Sequence, residues 1–87
     1  FSVYETIKKS LLLYQERADR LGVLIEHEKP EDDYQMNGLE VDLSTAVINL
    51  MDNSLYWHEK RKTQNPFIRI NYRDDNDILF ISIEDNA

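Results

Sequence analysis

The sequence predicts an α/β protein, organised as a two-layer α/β sandwich in which two helices cover one face of a small sheet. Apolar residues recur first at helical spacing and later at alternate positions, in the order helix, strand, helix, strand, strand. Each predicted helix carries a single apolar stripe. Two such helices need a shared sheet face to bury their stripes, so we expect both on one side of a mixed or antiparallel sheet.

The first helix is predicted to begin after Ser2, because Ser2 and Glu5 have the spacing of a capping box. Gly22 follows the last apolar position and is a typical residue for ending a helix. A short strand is predicted next, at residues 23–28. The pattern indicates one helix, whose apolar face is formed by Val3, Ile7, Leu11, Tyr14, Ala18 and Leu21.

The second helix is predicted to run from Asp42, a plausible N-cap, to about His58. One arc of this helix is apolar and contains Leu43, Val47, Ile48, Leu50, Met51 and Leu55. Asn49 and Asn53 lie on the opposite arc, and their spacing places one above the other. Asn is disfavoured in helix interiors, so a pair of them on one face is unexpected.

A β-hairpin is predicted after the Asn65-Pro66 breaker. Apolar and polar residues alternate over residues 68–73, which is the period of a half-buried strand. Residues 74–77 read Asp-Asp-Asn-Asp, and these residue types tolerate the backbone angles of a turn. Residues 78–84 are more continuously apolar, so this strand is predicted to be the more central one. Asp85 follows at the end of that strand.

The charge of the chain limits the partners that it can bind. Ten Lys and Arg residues against 17 Asp and Glu residues give a formal net charge of −7. This balance disfavours binding to nucleic acid, which depends on Lys and Arg, and direct contact with an anionic membrane. The absence of Cys excludes thiol nucleophiles and Cys-ligated zinc. The composition is that of one small globular domain, which we expect in the cytoplasm.

Two short motifs resemble those of a known group of proteins. Residues 48–54 (Ile-Asn-Leu-Met-Asp-Asn-Ser) resemble the N-box of the superfamily that contains histidine kinases, gyrase and heat-shock chaperone ATPases. Residues 84–86 (Glu-Asp-Asn), at the end of the last predicted strand, resemble the start of the first glycine box of that superfamily. The resemblance implies that residues 1–87 are the N-terminal part of a histidine-kinase-like ATP-binding domain, truncated before the ATP lid.

This resemblance implies a site for ATP and Mg²⁺. Asn53 matches the family residue whose amide oxygen helps to hold Mg²⁺ on the triphosphate, and a neutral ligand suits an ion already paired with phosphate. Asp85 matches the carboxylate that accepts the exocyclic amine of adenine, and it is expected to be buried at the floor of a cleft into which Asn49 and Asn53 project. Tyr56 replaces a family Lys or Asp, so it is expected either to contact nucleotide or to pack.

Asn49 occupies the catalytic position of the N-box. Hydrolysing members of the superfamily have Glu there as a general base, and an amide cannot take a proton from water. Asn49 is therefore kinase-like. It implies that the whole protein is similar to a sensor histidine kinase, which transfers the γ-phosphoryl group of ATP to a His elsewhere in signal transduction.

Two alternatives stay open at this point. One is an ATP-gated ATPase of the same superfamily, in which nucleotide drives dimerisation. The other is a degenerate domain that binds a partner protein and no nucleotide, which Tyr56 and Ala87, at the first glycine position, favour. The partners implied by the leading hypothesis are ATP, other domains of the same protein and a second copy in a possible homodimer. Residues 1–87 alone are expected to bind nucleotide weakly or not at all.

Overall fold

The computed structural model describes all 87 residues and contains three helices and three strands. Their bounds, in chain order, are α1 Val3–Leu12, α2 Gln15–Leu21, β1 Leu24–His27, α3 Glu40–Arg61, β2 Phe67–Asp75 and β3 Ile78–Asp85. The protein is a small mixed α/β domain with a three-stranded sheet, which confirms the predicted class. None of the helices combines the length and the apolar character that a membrane span requires.

β2 is the central strand, with β1 parallel to it on one side and β3 antiparallel to it on the other. The sheet is therefore mixed, as predicted, but the prediction that β3 would be the more central strand is wrong. Ile68 and Ile70 of β2 are buried, whereas β3 has no fully buried residue. The hairpin brings β3 to one side of β2, and the crossover through α3 brings β1 to the other. Connectivity, and not apolar content, thus determines the strand order.

The turn of the hairpin consists of Asn76 and Asp77, whose φ angles are 48° and 66°. Two successive positive φ angles are typical of a type I′ turn, whose twist matches that of the flanking strands. The turn predicted at residues 74–77 is confirmed, except that β2 continues through Asp75.

The first predicted helix is interrupted between α1 and α2. At the break, the N–H groups of Leu13 and Tyr14 bond to carbonyls three residues back, which tightens the chain into a 3₁₀-like turn. Tyr14 is buried, as predicted, and its hydroxyl donates to the Ile48 carbonyl of α3 at 3.1 Å. Burial, followed by the nearby carboxylate of Asp52, raises the pKa of Tyr14 to about 12. The break therefore coincides with an anchor to α3.

The start of α3 also differs from the prediction, because Asp42 is not its N-cap. Leu39 holds that position and makes no hydrogen bond through its side chain. Glu40 and Asp42 instead lie in the first turn, where carboxylates favour the partial positive charge of the helix end. Glu40 also accepts a 2.9 Å hydrogen bond from Thr6 of α1. The start of α3 is thus held by a contact with α1, and no side chain caps it.

One apolar core lies between the helices and one face of the sheet. Ile68 and Ile70 contribute the β2 side of this core, and they share that face because they are two residues apart. The full set of buried apolar residues is Val3, Ile7, Leu11, Tyr14, Ala18, Val23, Val47, Met51, Leu55, Ile68 and Ile70. The helices therefore pack on the same face of the sheet, as their stripes predict.

Candidate functional site

The two motifs of the sequence meet at one hydrogen bond between α3 and β3. The Ser54 hydroxyl donates to Oδ2 of Asp85 across a separation of 31 residues. Asp85 is paired with Ile68 across the sheet, so its side chain lies on the helix-facing side. Its other oxygen, Oδ1, accepts from the Ala87 N–H at 3.1 Å. Each carboxylate oxygen of Asp85 therefore has a donor within the chain.

The segment after β3 is tied to the segment before β2. Oδ1 of Asn86 accepts from the Phe67 N–H at 3.0 Å, and its amide nitrogen donates to the Asn65 carbonyl at 3.1 Å. Asn86 thus satisfies backbone groups at the point where β2 begins. These bonds fix the backbone that follows Asp85.

Asn49, Asn53 and Tyr56 lie on the outer face of α3, and all three are exposed. At about 100° per residue, this face is opposite the side of α3 that holds Val47 and Met51 in the core. Asn49 and Asn53 share the face, as their spacing predicts. This face lies about 100–140° around the helix from Ser54, which contacts Asp85, so the expectation of one cleft shared with Asp85 is not confirmed. The expectation that Asp85 is buried is wrong, because Asp85 is exposed and Ser54 covers only one edge of its carboxylate.

Half-exposed apolar side chains lie beside these residues, between α3 and β3. Leu50 and Trp57 lie within about 60° of Ser54 around α3, so all three side chains point toward the β3 side of the helix. Leu50 is 49% exposed and Trp57 is 40% exposed. Opposite them, Ile81 and Ile83 of β3 are only partly buried. We call the apolar strip of surface between these side chains the α3–β3 groove; Asp85 lies at one end of it, and none of the larger pockets of the structure is lined by Leu50, Trp57 or Asp85.

The aromatic residues near the end of α3 are each covered by a cation. Tyr56 and Trp57 meet edge to face, with ring centroids 5.1 Å apart. The Lys60 ammonium lies 5.6 Å from the Tyr56 ring, and the Arg61 guanidinium lies 4.7 Å from the Trp57 ring. These are i, i+4 pairs on one helix, so they stabilise α3 whatever else they do.

The larger pockets of the molecule are open to solvent and lie away from the motifs. A cavity of about 450 Å³ is bordered by Arg20, His58 and Lys62, and one of about 290 Å³ lies on the outer face of the sheet beside Glu26 and Arg69. Neither is lined by a residue of the two motifs. No cluster of three or more His, Asp or Glu side chains is arranged to hold a metal ion.

Sequence reasoning missed Ser54 and Trp57 as members of the site. The motif does point to Ser54, because the N-box of the superfamily has a small residue directly after its last Asn. Its partner could not be read from the motif, since a buried hydroxyl bonds to whatever the fold brings near. Trp57 lies outside both motifs, so neither motif points to it, and it is 40% exposed.

Comparisons with protein-family models, with curated proteins and with solved structures find no match for this chain. The roles of Asn49, Asn53, Tyr56 and Asp85 therefore rest on the resemblance of the motifs and on the contacts described above.

Proposed function

We propose that this chain is an ATP-binding module of the histidine-kinase type, with the corresponding two-layer fold. The observation that carries the proposal is the contact between Ser54 and Asp85. It joins the N-box-like segment to the strand-terminal carboxylate, two sequence features that no local pattern links. Asn53 directly precedes Ser54 in the sequence, so the residue proposed for Mg²⁺ lies one position along α3 from the residue that contacts the carboxylate proposed for adenine.

The chemistry of the α3–β3 groove suits an adenine base. A purine has apolar faces and a polar edge, and ligand sites typically combine apolar walls with a few fixed polar groups. Leu50 and Trp57 provide an apolar wall, and Asp85 provides an acceptor at one end. An ionised carboxylate accepts hydrogen bonds and donates none, so it matches the amine of adenine.

The proposed reaction needs no general base from this chain. Phosphoryl transfer depends mainly on alignment and on stabilisation of charge. Asn53 would supply an amide oxygen to Mg²⁺, which takes few protein ligands and binds phosphate oxygens. Asn49 cannot remove a proton from water, so we expect ATP hydrolysis by this chain to be slow.

Calorimetric titration with MgATP tests the proposal. It is made on a longer wild-type chain that also contains the ATP lid and glycine boxes that the resemblance implies, because residues 1–87 alone are expected to bind weakly or not at all. Loss of the acceptor in Asp85→Ala should weaken binding by about 5- to 150-fold, the equivalent of about 1–3 kcal/mol. The matched control is Asp75→Ala, which removes a carboxylate from the exposed end of β2 and should leave the affinity unchanged. Equal affinity of Asp85→Ala and wild type would remove the adenine assignment.

A second arm of the titration examines Asn53. Wild type should bind ATP more tightly with Mg²⁺ than with EDTA, and Asn53→Ala should lose part of that gain while its Mg²⁺-free affinity stays the same. Asn37→Ala, which removes an exposed amide from the loop before α3, serves as the control. If Asn53→Ala keeps the full effect of Mg²⁺, Asn53 is not a ligand of the ion.

The exposed apolar side chains of α3 favour a second candidate, a degenerate domain that binds a protein partner. Leu50, Tyr56 and Trp57 are between 40% and 49% exposed on neighbouring parts of one helix. Failure of the wild-type chain to bind ATP would favour this candidate. Rapid phosphate release from ATP would instead favour the ATP-gated ATPase.

A further inference from the structure

Ser54 differs from the other residues of the N-box-like segment in its burial and in its partner. It is 4% exposed, whereas Asn49 and Asn53 on the same helix are exposed. Its hydroxyl reaches out of the helix to Oδ2 of Asp85. Serines within helices commonly bond back to their own backbone, as Ser10 does here to the Thr6 carbonyl at 2.9 Å. Ser54 instead directs its one donor at a carboxylate on another element.

The carboxylate that Ser54 contacts is held from two sides. Ser54 donates to Oδ2, and the Ala87 N–H donates to Oδ1. Asn86 ties the backbone between them to the start of β2. Rotation of the Asp85 carboxylate about its terminal bond would break both donor contacts. The lone pairs that remain free therefore point in fixed directions at the end of the α3–β3 groove.

We propose that Ser54 is a positioning residue that sets the base preference of the site. This inference rests on the proposed function. A carboxylate fixed by Ser54 can accept from the amine of a 6-amino purine, but it cannot turn to avoid the carbonyl oxygen of a 6-oxo purine. A carboxylate without Ser54 keeps only the Ala87 N–H contact, so it can turn more freely and accept from the ring N–H of the 6-oxo purine instead. Ser54 thus favours adenine nucleotides over inosine nucleotides through Asp85, without contact with the base.

The test compares MgATP with MgITP, which differ only in the 6-position of the base and the protonation of the neighbouring ring nitrogen. Wild type should prefer ATP by roughly tenfold or more, the value of one hydrogen bond to a charged group. Ser54→Ala should bind ATP roughly 3- to 10-fold more weakly, since one side chain must then be ordered on binding. It should bind ITP as well as wild type does, or better.

Two further variants separate positioning from a loss of folding. Ser54→Thr keeps the hydroxyl and should restore the ATP preference. Ser10→Ala removes a hydroxyl that is equally buried, at 4% exposed, but remote from Asp85, so it should leave the ratio of the two affinities at the wild-type value. If Ser10→Ala changes the ratio of the two affinities as much as Ser54→Ala does, the inference is overturned.

The outcomes distinguish this inference from the proposed function. If wild type prefers ATP and Ser54→Ala keeps the same preference, the inference fails and the ATP-binding proposal stands. If wild type binds neither nucleotide, both fail. If Ser54→Ala weakens ATP and ITP by the same factor, Ser54 only supports the fold, and the inference is again overturned.

Discussion

The two sides of the central strand β2 are built differently. On the β1 side, aromatic rings fill the space under the helices: Tyr4 stacks on His27 with centroids 4.6 Å apart, and Nε2 of His27 lies 2.5 Å from the Tyr72 hydroxyl. On the β3 side, α3 reaches the strand through Ser54 and Asp85, and its neighbouring apolar side chains stay half-exposed. The packed side contributes to stability, whereas the β3 side leaves apolar side chains half-exposed beside the residues proposed to bind nucleotide.

The same contrast appears on the outer face of the sheet. Arg69 of β2 lies between two acids, with Nε 2.8 Å from Glu26 of β1 and Nη1 3.7 Å from Glu84 of β3. The hydrogen bond with Glu26 is the main reason why the pKa of Arg69 is raised. On the outer face, the contact of Arg69 toward β1 is therefore the closer one.

The largest expected effect concerns packing. Ile7 is fully buried, one turn from Tyr4 on α1, and Ile7→Ala should lower the free energy of unfolding by about 2–5 kcal/mol, because it leaves a cavity. Leu50→Ala, in the α3–β3 groove, should change it by less than about 1 kcal/mol, since exposed sites tolerate truncation. Urea unfolding of both variants measures the difference. Equal losses would show that the β3 side is as tightly packed as the β1 side.

The two helix ends should show a smaller difference. Gly22 ends α2 just before β1 with φ of 69°, so Gly22→Ala should cost about 1–2 kcal/mol. Lys62 ends α3 with φ of 49°, in a conformation that glycine adopts more readily. Lys62→Gly should therefore stabilise the protein. Relief of the left-handed conformation outweighs the greater flexibility of the unfolded chain, and the net gain is about 0.5 kcal/mol. A Lys62→Gly variant that melts lower than wild type would contradict this reasoning.

The packed β1 side should make stability depend on pH. Burial, followed by the charge of Lys8, lowers the pKa of His27 below its ordinary value of 6.5. As the pH falls through 6.5, the unfolded chain therefore binds more protons than the folded one. The contribution of His27 to the free energy of unfolding is complete above that pH and declines below it. Denaturation between pH 8 and pH 5.5 should show this slope, and His27→Gln should flatten it. An unchanged slope in the variant would assign the pH dependence to other groups.

The smallest effect is expected on the outer face. Glu26→Gln should lower the melting temperature slightly, because it weakens the closer partner of Arg69, and Glu84→Gln should lower it less. Both pairs are solvent-exposed, so added salt should reduce the difference. Thermal melts at low and high ionic strength test this order, and a larger loss in Glu84→Gln would reverse the comparison for this face.

Part of the candidate site could be predicted from the sequence. The spacing of Asn49 and Asn53 places them on one face of α3, and the motif resemblance directs attention to Asp85. The exposure of Asp85 and its contact with Ser54 could not be predicted, since both depend on how α3 lies over β3. The nucleotide roles of these residues stay predictions until binding is measured.

The sequence by itself determined the local features of this protein. Apolar spacing specifies the helical and extended segments, Gly22 ends α2, and Asn76 and Asp77 permit the turn, because each of these depends on backbone preferences over a few residues. The tertiary structure decided the strand order, the break at Tyr14, the start of α3 and the meeting of Ser54 with Asp85. These features depend on contacts between residues that are far apart in the sequence, up to 45 residues for His27 and Tyr72. A periodic pattern predicts that a residue is buried, but it does not predict which residues it packs against.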